Sequence, residues 1–426
     1  MAKLNNFEMI IGSNSYRPIM IGGMGVNIST AALALGAAKL GGVGHISDAM
    51  SPFLNDMLFG TRYQANKQKE TRAQEKIDPK YISRWTEDIV YRANRDYVAS
   101  VMAHKKGEGG IFVNVMEKLT MGAPSETLQA RLRGALDGGI DGITLSAGLH
   151  NASLRLIEDH PRFRDAHIGV IISSLRALKI FLRGASRVNR LPSYIVVEGP
   201  LAGGHLGFGE DWHRFSLNLI VEEVISYLRS EDLNIPVIPA GGVFTGTDAV
   251  NFINMGAAGV QVATRFTISQ ECGLPTEAKQ IYLRAEEKDV EVNCSSPTGY
   301  PMRMLKSSPS LGSNLKPSCA SLGYMLDREG NCSYKDLYEK TPVDAQGKKL
   351  PIYEKMCICQ HFMRLQCYTC GHNVYRLKDT TIMLPDGSFY LPPMEHIFKD
   401  YLNSEDQSVE LPVGNTDQSP QQASNG

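Results

Sequence analysis

A histidine within a glycine-rich stretch is the residue of this sequence with the clearest chemical use. His205 lies in the segment EGPLAGGHLG, which runs from Glu198 to Gly207 and follows a short apolar run. An imidazole exchanges protons near neutral pH, and the glycines leave space for a ligand against it. We therefore predict that His205 is catalytic or contacts a ligand. The alternative is an incidental loop histidine.

An anion site is predicted farther along the chain. One apolar run ends in Gly241 and Gly242, and the next ends at the hydroxyl of Thr264. Adjacent glycines let backbone N–H groups approach an anion closely. In (β/α)8 barrels, the loops after the last two strands commonly bind phosphate. We predict a phosphate site here; the alternative is that the glycine pair forms only a tight turn.

Two other apolar runs carry groups that suit a flat ligand. The first run of the chain ends in Gly22, Gly23 and Met24, whose backbone donors could bond the polar edge of a ring. The alternative is a tight turn. Asn114 lies near the end of another run, and a buried amide needs hydrogen-bond partners. It either satisfies the backbone or reaches a cofactor, and its place at the end of the run favours the cofactor.

Four cysteines near the C-terminus could in principle bind a metal. They form a C-x-C pair and a C-x-x-C pair, with seven residues between the pairs: Cys357, Cys359, Cys367 and Cys370. This is not a standard zinc or iron–sulfur spacing, and thiols are common buried hydrophobes. We therefore predict no metal, and keep these four residues as the candidates for one.

The elements that must position these residues are eight short apolar runs separated by helical patterns. The runs are Pro18–Gly22, Gly42–Ser47, Ile111–Met116, Gly142–Gly148, His167–Ser174, Tyr194–Gly199, Pro236–Gly242 and Gly259–Phe266. Continuous apolar runs are typical of strands buried on both faces. Their alternation with helices predicts parallel βαβ units, and eight units favour a TIM (β/α)8 barrel. The alternative is an open doubly wound sheet.

The predicted barrel occupies residues 1–290 and contains a long helical insertion, residues 49–110, after its second strand. The insertion is either a decorative excursion or a lid over the barrel mouth. Residues 291–402 form an irregular Cys-rich appendage that packs on the barrel. Residues 403–426 are polar and are predicted to be a disordered tail.

Composition excludes several classes of protein. The 426 residues include 44 basic and 45 acidic side chains, for a net charge of −1, which argues against a nucleic-acid partner. There is no secretory signal pattern and no stretch of about 18 apolar residues that would span a membrane. We therefore expect a cytoplasmic protein with reduced cysteines. The oligomeric state is left open, a homodimer included.

Taken in order, these motifs resemble the nitronate monooxygenase family, which was formerly called 2-nitropropane dioxygenases and includes the FMN-dependent enoyl-acyl-carrier-protein reductase II enzymes. The matching stretches are PIMIGGMGV (18–26), EGPLAGGHLG (198–207), PAGGV (239–243), GVQVATRF (259–266), SPTGYP (296–301) and CGHNVYR (370–376). Because these stretches are distributed from residue 18 to residue 376, the resemblance extends over most of the chain.

The resemblance implies FMN as the cofactor. It places the ring near Gly22, Gly23, Met24, Asn114 and Glu198, and the phosphate near Gly241, Gly242, Ala263 and Thr264, with Gly203, Gly204 and Gln261 also binding the cofactor. His205 becomes the catalytic base. The implied reaction oxidises an alkyl nitronate with O2 to a carbonyl compound and nitrite.

Two alternatives remain within this resemblance. One is NAD(P)H-dependent reduction of an enoyl thioester, with NAD(P)H as co-substrate. The other is a flavin-binding component of a lipid or polyketide assembly. The substrate is left open partly because relatives commonly have Gly-Ala-Gly-Leu-Pro where this chain has SAGLH, so Ser146 and His150 are candidate residues of the substrate wall.

Overall fold

Eight parallel strands close into a barrel in the computed structural model, which describes residues 2–78, 84–117, 124–317 and 332–404. The strands of these residues are β1 (Met9–Ile11), β2 (Asn14–Tyr16), β3 (Ile19–Ile21), β4 (Val43–Ser47), β5 (Gly110–Met116), β6 (Gly142–Ser146), β7 (His167–Ile172), β8 (Tyr194–Glu198), β9 (Gly204–His205), β10 (Val237–Ala240), β11 (Val260–Val262), β12 (Val290–Asn293) and β13 (Met302–Leu305). The barrel order is β3 to β8, then β10 and β11.

The predicted (β/α)8 barrel is confirmed, and the doubly wound sheet is excluded, because β11 pairs with β3 and closes the ring. Each of the eight predicted runs contains one barrel strand. The last run was predicted too long: β11 ends at Val262, and Thr264–Ile268 form a 3-10 helix. Thr264 therefore lies in the loop after the last strand.

The strand residues are apolar on both faces because the barrel has two cores. Met20, Phe112, Val196 and Ile238 belong to the inner cluster, while other strand residues pack against the helices outside. Side chains alternate along a strand, so Glu198, two residues after Val196, lies on the inner side at the carboxyl end. The hairpin of β1 and β2 adds buried side chains to the inner cluster. Through Tyr16, this hairpin contacts Phe112 in the barrel interior.

The helices of the described residues are α1 (Ala31–Lys39), α2 (Ser51–Phe59), α3 (Tyr63–Glu75), α4 (Glu87–Met102), α5 (Pro124–Asp137), α6 (Leu175–Arg187), α7 (Leu217–Ser230), α8 (Gly246–Asn254), α9 (Thr276–Arg284), α10 (Ser333–Lys340), α11 (Ile358–Met363) and α12 (Met394–Asn403). None of them is long and apolar enough to cross a membrane.

The insertion after the second barrel strand contains α2, α3 and α4. Helix α4 packs as a barrel helix: its Tyr97, Val98 and Val101 join the cluster outside the strands, as does Leu54 of α2. Met50, just before α2, shares an apolar cluster with Val26 and Cys370 instead. The added helices therefore begin beside the loop that follows the first barrel strand.

The last described helix, α12, packs on the barrel although it follows the whole Cys-rich region. A Cβ on Gly36 of α1 would lie 2.8 Å from the sulfur of Met394, and one on Gly42 would lie 2.5 Å from the ring of Phe398. A Cβ on Gly246 of α8 would overlap the carbonyl oxygen of Tyr401. The helix thus fills the space between α1 and α8. Residues 405–426, most of the predicted tail, lie outside the described residues.

Candidate active site

His205 is held at the carboxyl end of the barrel by a small second sheet. Its strand β9 pairs with β13, with His205 opposite Met302, and β13 pairs in turn with β12. The imidazole Nε2 lies 2.7 Å from Ser296 Oγ, while Nδ1 has no partner within the described part of the chain. Burial lowers the pKa of His205 to about 4, so the imidazole is neutral at pH 7 and can accept a proton.

Ser296 belongs to a loop of hydroxyl groups that sequence analysis did not single out. Its side chain is fully buried, and its Oγ lies 2.7 Å from the hydroxyl of Thr298 and accepts the backbone N–H of Thr298. Tyr300 donates its own N–H to the hydroxyl of Thr298. The loop that carries Ser296 is therefore rigidly bonded, and it fixes the ring of His205. The SPTGYP stretch contained this residue, but nothing in its spacing indicated the contact.

Glu198 ends strand β8 on the same side of the barrel. Burial raises the pKa of its carboxyl group to about 7, and the nearby charge of Arg303 opposes part of that rise. No side chain in the described ranges forms a hydrogen bond with this carboxyl group. A carboxyl group of this pKa exchanges its proton near neutral pH.

The glycines after the first barrel strand have divided roles. Gly22 donates its N–H to the carbonyl of Val262 and so extends the barrel ladder. Met24 donates its N–H to the hydroxyl of Ser29 at 2.8 Å. Of the three predicted donors, only Gly23 keeps an N–H without a partner among the described residues, so the structure supports one backbone donor at this position rather than three.

Two amide side chains lie beside these glycines. A Cβ on Gly23 would overlap the side chain of Asn114, which is buried. A Cβ on Gly22 would lie 3.3 Å from the side chain of Gln261. The Oε1 of Gln261 is buried and has no hydrogen-bond donor among the described residues. A buried oxygen of this kind usually marks a missing partner.

The predicted phosphate site has the backbone geometry that an anion requires. Gly241 and Gly242 have φ angles of +79° and +123°, which only glycine adopts without strain. A Cβ on Gly241 would lie 2.9 Å from the carbonyl of Gly199. Within the described residues, the N–H groups of both glycines have no partner. Ala263 and Thr264 stand at the start of the 3-10 helix after the neighbouring strand.

A segment of the C-terminal region crosses this site, and we call it the C-terminal strap (residues 370–373). The N–H of His372 donates to the carbonyl of Leu201 at 3.0 Å, and the amide of Asn373 donates to the carbonyl of Gly242 at 3.0 Å. A Cβ on Gly371 would overlap the hydroxyl of Thr264. Sequence analysis placed this region on the barrel but did not predict that it forms a wall of the site.

The strap also contacts the loop that carries His205. A Cβ on Gly203 would lie 2.5 Å from the backbone of Cys370, so only glycine fits there. Gly204 has a φ angle of +71° and an open surrounding. Close packing therefore requires glycine at position 203, whereas the backbone conformation favours glycine at position 204.

The two residues predicted for the substrate wall lie near the fourth loop, but their polar groups are engaged. His150 is buried, with Nδ1 2.8 Å from the hydroxyl of Ser153 and Nε2 2.7 Å from the carbonyl of Ser146. Burial lowers its pKa. Ser146 donates its hydroxyl to the carbonyl of Val115. These contacts hold the loop together, so His150 offers no free ring nitrogen to a ligand.

The four candidate cysteine ligands do not assemble into a metal site. Among the described residues, no group of three or more histidine, cysteine or acidic side chains is arranged to hold a metal ion. Cys357, Cys367 and Cys370 are buried, and none of the four forms a disulfide within the described residues. They pack as small apolar side chains.

The barrel resembles several solved structures at low sequence identity. FabK from Thermotoga maritima matches with a TM-score of 0.54 and 17% identity, over 91% of this chain and 92% of that one. A nitroalkane oxidase from Streptomyces ansochromogenes matches with a TM-score of 0.55 and 14% identity, over 91% and 95%. The enoyl reductase domain of MlnA from Bacillus amyloliquefaciens gives 0.56 and 12%, over 92% and 94%. These likenesses show the fold.

Curated relatives match a smaller part of the sequence. A probable nitronate monooxygenase from Staphylococcus saprophyticus is 32% identical over 109 residues, which are 26% of this chain and 30% of that protein. A (3aS,4S,5R,7aS)-5-hydroxy-7a-methyl-1-oxo-octahydro-1H-indene-4-carboxyl-CoA dehydrogenase from Rhodococcus jostii is 32% identical over 111 residues, 26% of this chain and 28% of that protein. The matches thus span less than a third of these relatives.

The family model for nitronate monooxygenase matches residues 139–332. That region carries the last five barrel strands, His205 and the glycine pair at 241–242. The resemblance predicted from the sequence motifs is therefore confirmed over residues 139–332, which match the nitronate monooxygenase model.

Proposed function

We propose that the protein is an FMN-dependent oxidoreductase that oxidises alkyl nitronates with O2. One observation carries this proposal. A neutral histidine, His205, lies at the same end of the barrel as three backbone N–H groups that have no partner in the described residues, those of Gly23, Gly241 and Gly242. An oxidoreductase of this fold needs both a cofactor site and a proton acceptor.

The residues at the barrel mouth fit an FMN molecule. The cradle of Gly241 and Gly242, with the hydroxyl of Thr264 nearby, suits a phosphate. The N–H of Gly23, the amide of Asn114 and the donor-deficient Oε1 of Gln261 suit the polar edge of a flavin ring. Gly203, Gly204 and Ala263 would border the same ligand through backbone atoms. Bound FMN would accept the substrate's electrons and deliver them to O2.

His205 and Ser296 prepare the proton acceptor. If Nε2 carries the ring hydrogen, it donates to Ser296 Oγ, and the lone pair of Nδ1 is left to accept a proton. A ring whose pKa is about 4 is a weak base. It would accept the proton of a neutral nitroalkane, whereas an ionised nitronate requires no such step and would only be positioned by the ring.

A second candidate is oxidation or reduction of an acyl thioester. Two curated relatives at 32% identity are named as CoA-thioester dehydrogenases, and a structural neighbour is an enoyl reductase domain. In this alternative NAD(P)H would reduce the flavin and an enoyl thioester would reoxidise it. His205 would then supply rather than accept a proton.

Anaerobic reduction of the purified yellow protein separates the two candidates. Under the proposed function, propionate 3-nitronate bleaches the flavin within seconds, and NADPH does so far more slowly. Rapid bleaching by NADPH alone would replace the nitronate assignment with the reductase. Bleaching by neither, together with a co-purifying partner, would identify a flavin-binding component of a larger assembly. A protein that binds no FMN would contradict every one of these functions.

A further inference from the structure

A buried arginine outside the predicted site contacts the loop that carries His205. Arg303 lies in β13, directly opposite Gly204 of β9, and its side chain is fully buried. Its Nη1 donates to the carbonyl of Pro200 at 2.6 Å and to the carbonyl of Ala202 at 2.5 Å. One side-chain nitrogen therefore holds two carbonyl groups of the loop.

The loop has few other bonds to hold its shape. Between Gly199 and Gly203, the described backbone contacts are the N–H of Gly199 to the carbonyl of Ala240, the N–H of Ala202 to the carbonyl of Gly199, and the strap's bond to Leu201. Pro200 has no N–H to donate. Because buried carbonyl groups need donors, the guanidinium of Arg303 replaces the ladder that this irregular segment lacks.

The charge of Arg303 is not neutralised by direct contact with a carboxylate. No ion pair of the described residues includes it, and its Nε and Nη2 are buried without acceptors. The ring of Trp212 lies 4.4 Å below the guanidinium, which offers partial compensation. Burying a charge in this way is costly, and an uncharged side chain of similar size would pack there at less cost. The two carbonyl bonds offset part of this cost.

We infer that Arg303 is the positioning residue of the His205 loop: it clamps the carbonyls of Pro200 and Ala202 and so sets where the imidazole stands. Its two hydrogen bonds go to loop carbonyls, so it would act through the loop. Its kinetic role rests on the proposed function, but the clamp itself can be tested without turnover.

The test compares Arg303→Met and Arg303→Lys with Arg190→Met in the full-length protein. Arg190 is a matched control because it is also buried, donates to a carbonyl (Ala166, 2.6 Å) and lies over an aromatic ring (Phe163, 4.8 Å). It lies between α6 and β8, at the other end of the barrel. Hydrogen–deuterium exchange is followed in the peptide that spans residues 199–207.

Arg303→Met should speed exchange in this peptide by about tenfold or more while exchange in the barrel strands is unchanged. Arg303→Lys keeps the positive charge but lacks the rigid planar group that aims the two N–H bonds of Nη1 at the two carbonyls, so it should give a smaller increase. Arg190→Met should leave the peptide unchanged. The clamp would be overturned if exchange in this peptide were equal in the wild type and Arg303→Lys. It would also be overturned if Arg190→Met sped exchange in this peptide as much as Arg303→Met does. The lysine variant decides the question if the methionine variant fails to fold.

If the wild type turns over a neutral nitroalkane, whose proton His205 would accept, a double-mutant cycle with His205→Ala adds a kinetic test. Arg303→Met alone should lower kcat by about 10- to 100-fold with KM within about threefold, and should cause no further loss in the His205→Ala background. Additive losses would show that Arg303 acts independently of His205 and would contradict the proposal. If the wild type turns over no substrate, the proposed function fails while the exchange result still decides the clamp.

Discussion

His205 Nε2 lies 2.7 Å from the Oγ of Ser296, a fully buried hydroxyl that is itself bonded to Thr298. This contact fixes the orientation of the imidazole. We expect Ser296→Ala to lower kcat by about tenfold, the cost of one well-placed hydrogen bond, with FMN content unchanged. Steady-state kinetics test this, with the neighbouring hydroxyl variant Ser295→Ala as control. Equal rates in the two variants would exclude an orienting role.

His205→Ala should separate substrates that need a proton acceptor from those that do not. Removing a general base costs about 10²- to 10⁴-fold, so turnover of a neutral nitroalkane should fall by this factor. Turnover of the corresponding preformed nitronate should fall less. Both rates are measured with O2 consumption, and His104→Ala, an exposed histidine at the end of α4, is the control. Unchanged turnover of the neutral substrate would reject His205 as the base.

Glu198→Gln should change how stability depends on pH. The usual pKa of a glutamate is 4.5, and burial raises that of Glu198 to about 7. As pH rises between these values, the unfolded chain loses its proton before the folded one, so the folded protein loses stability across this window. Below about pH 4.5, Glu198 is protonated in both the folded and the unfolded chain, and the folded protein keeps its full stability. We compare the free energy of unfolding of Glu198→Gln with that of the wild type. Above pH 7, this difference should favour the variant by up to about 3 kcal/mol more than it does at pH 4.5.

Urea unfolding of both proteins at pH 4.5 and pH 8 measures this difference directly. Glu223→Gln, on the exposed face of α7, controls for the general loss of one carboxylate. A pH dependence that is the same in the wild type and Glu198→Gln would show that this carboxyl group keeps its ordinary pKa.

Gly242→Val should weaken FMN binding by about tenfold or more, because a side chain at φ +123° strains the loop and blocks the approach of a phosphate. Flavin fluorescence titration gives the Kd. The control is Gly139→Val, which introduces the same side chain at φ +86° in an open position between α5 and β6. If both variants bind FMN equally well, the phosphate does not lie on Gly242.

Much of the barrel could be predicted because its signal is local. Runs such as 194–197 are apolar at every position, since the strands are buried on both faces. The glycine pairs and His205 could be predicted for a related reason: they follow strands whose carboxyl ends meet at one mouth. Thr264 was correctly placed near this mouth although its strand ends two residues earlier.

The remaining features depend on contacts between distant parts of the chain. The strap reaches Leu201 and Gly242 from residues 372 and 373, and no pattern in either segment encodes that pairing. Arg303 in the sequence resembles any charged residue of a short strand, because its burial follows from the sheet it shares with Gly204. His150 was expected to face a ligand, but its own loop uses both ring nitrogens.

Helix α12 has a consequence for how the protein is made. Because this helix, at Met394–Asn403, fills the space between α1 and α8, a nascent chain cannot complete the ring of helices until almost all of it has left the ribosome. The strands are translated first and stay partly exposed until α12 is made, because this helix begins more than one hundred residues after β11 ends. We therefore expect chaperones to bind the nascent chain until α12 has been synthesised, and not only until the eight strands are complete.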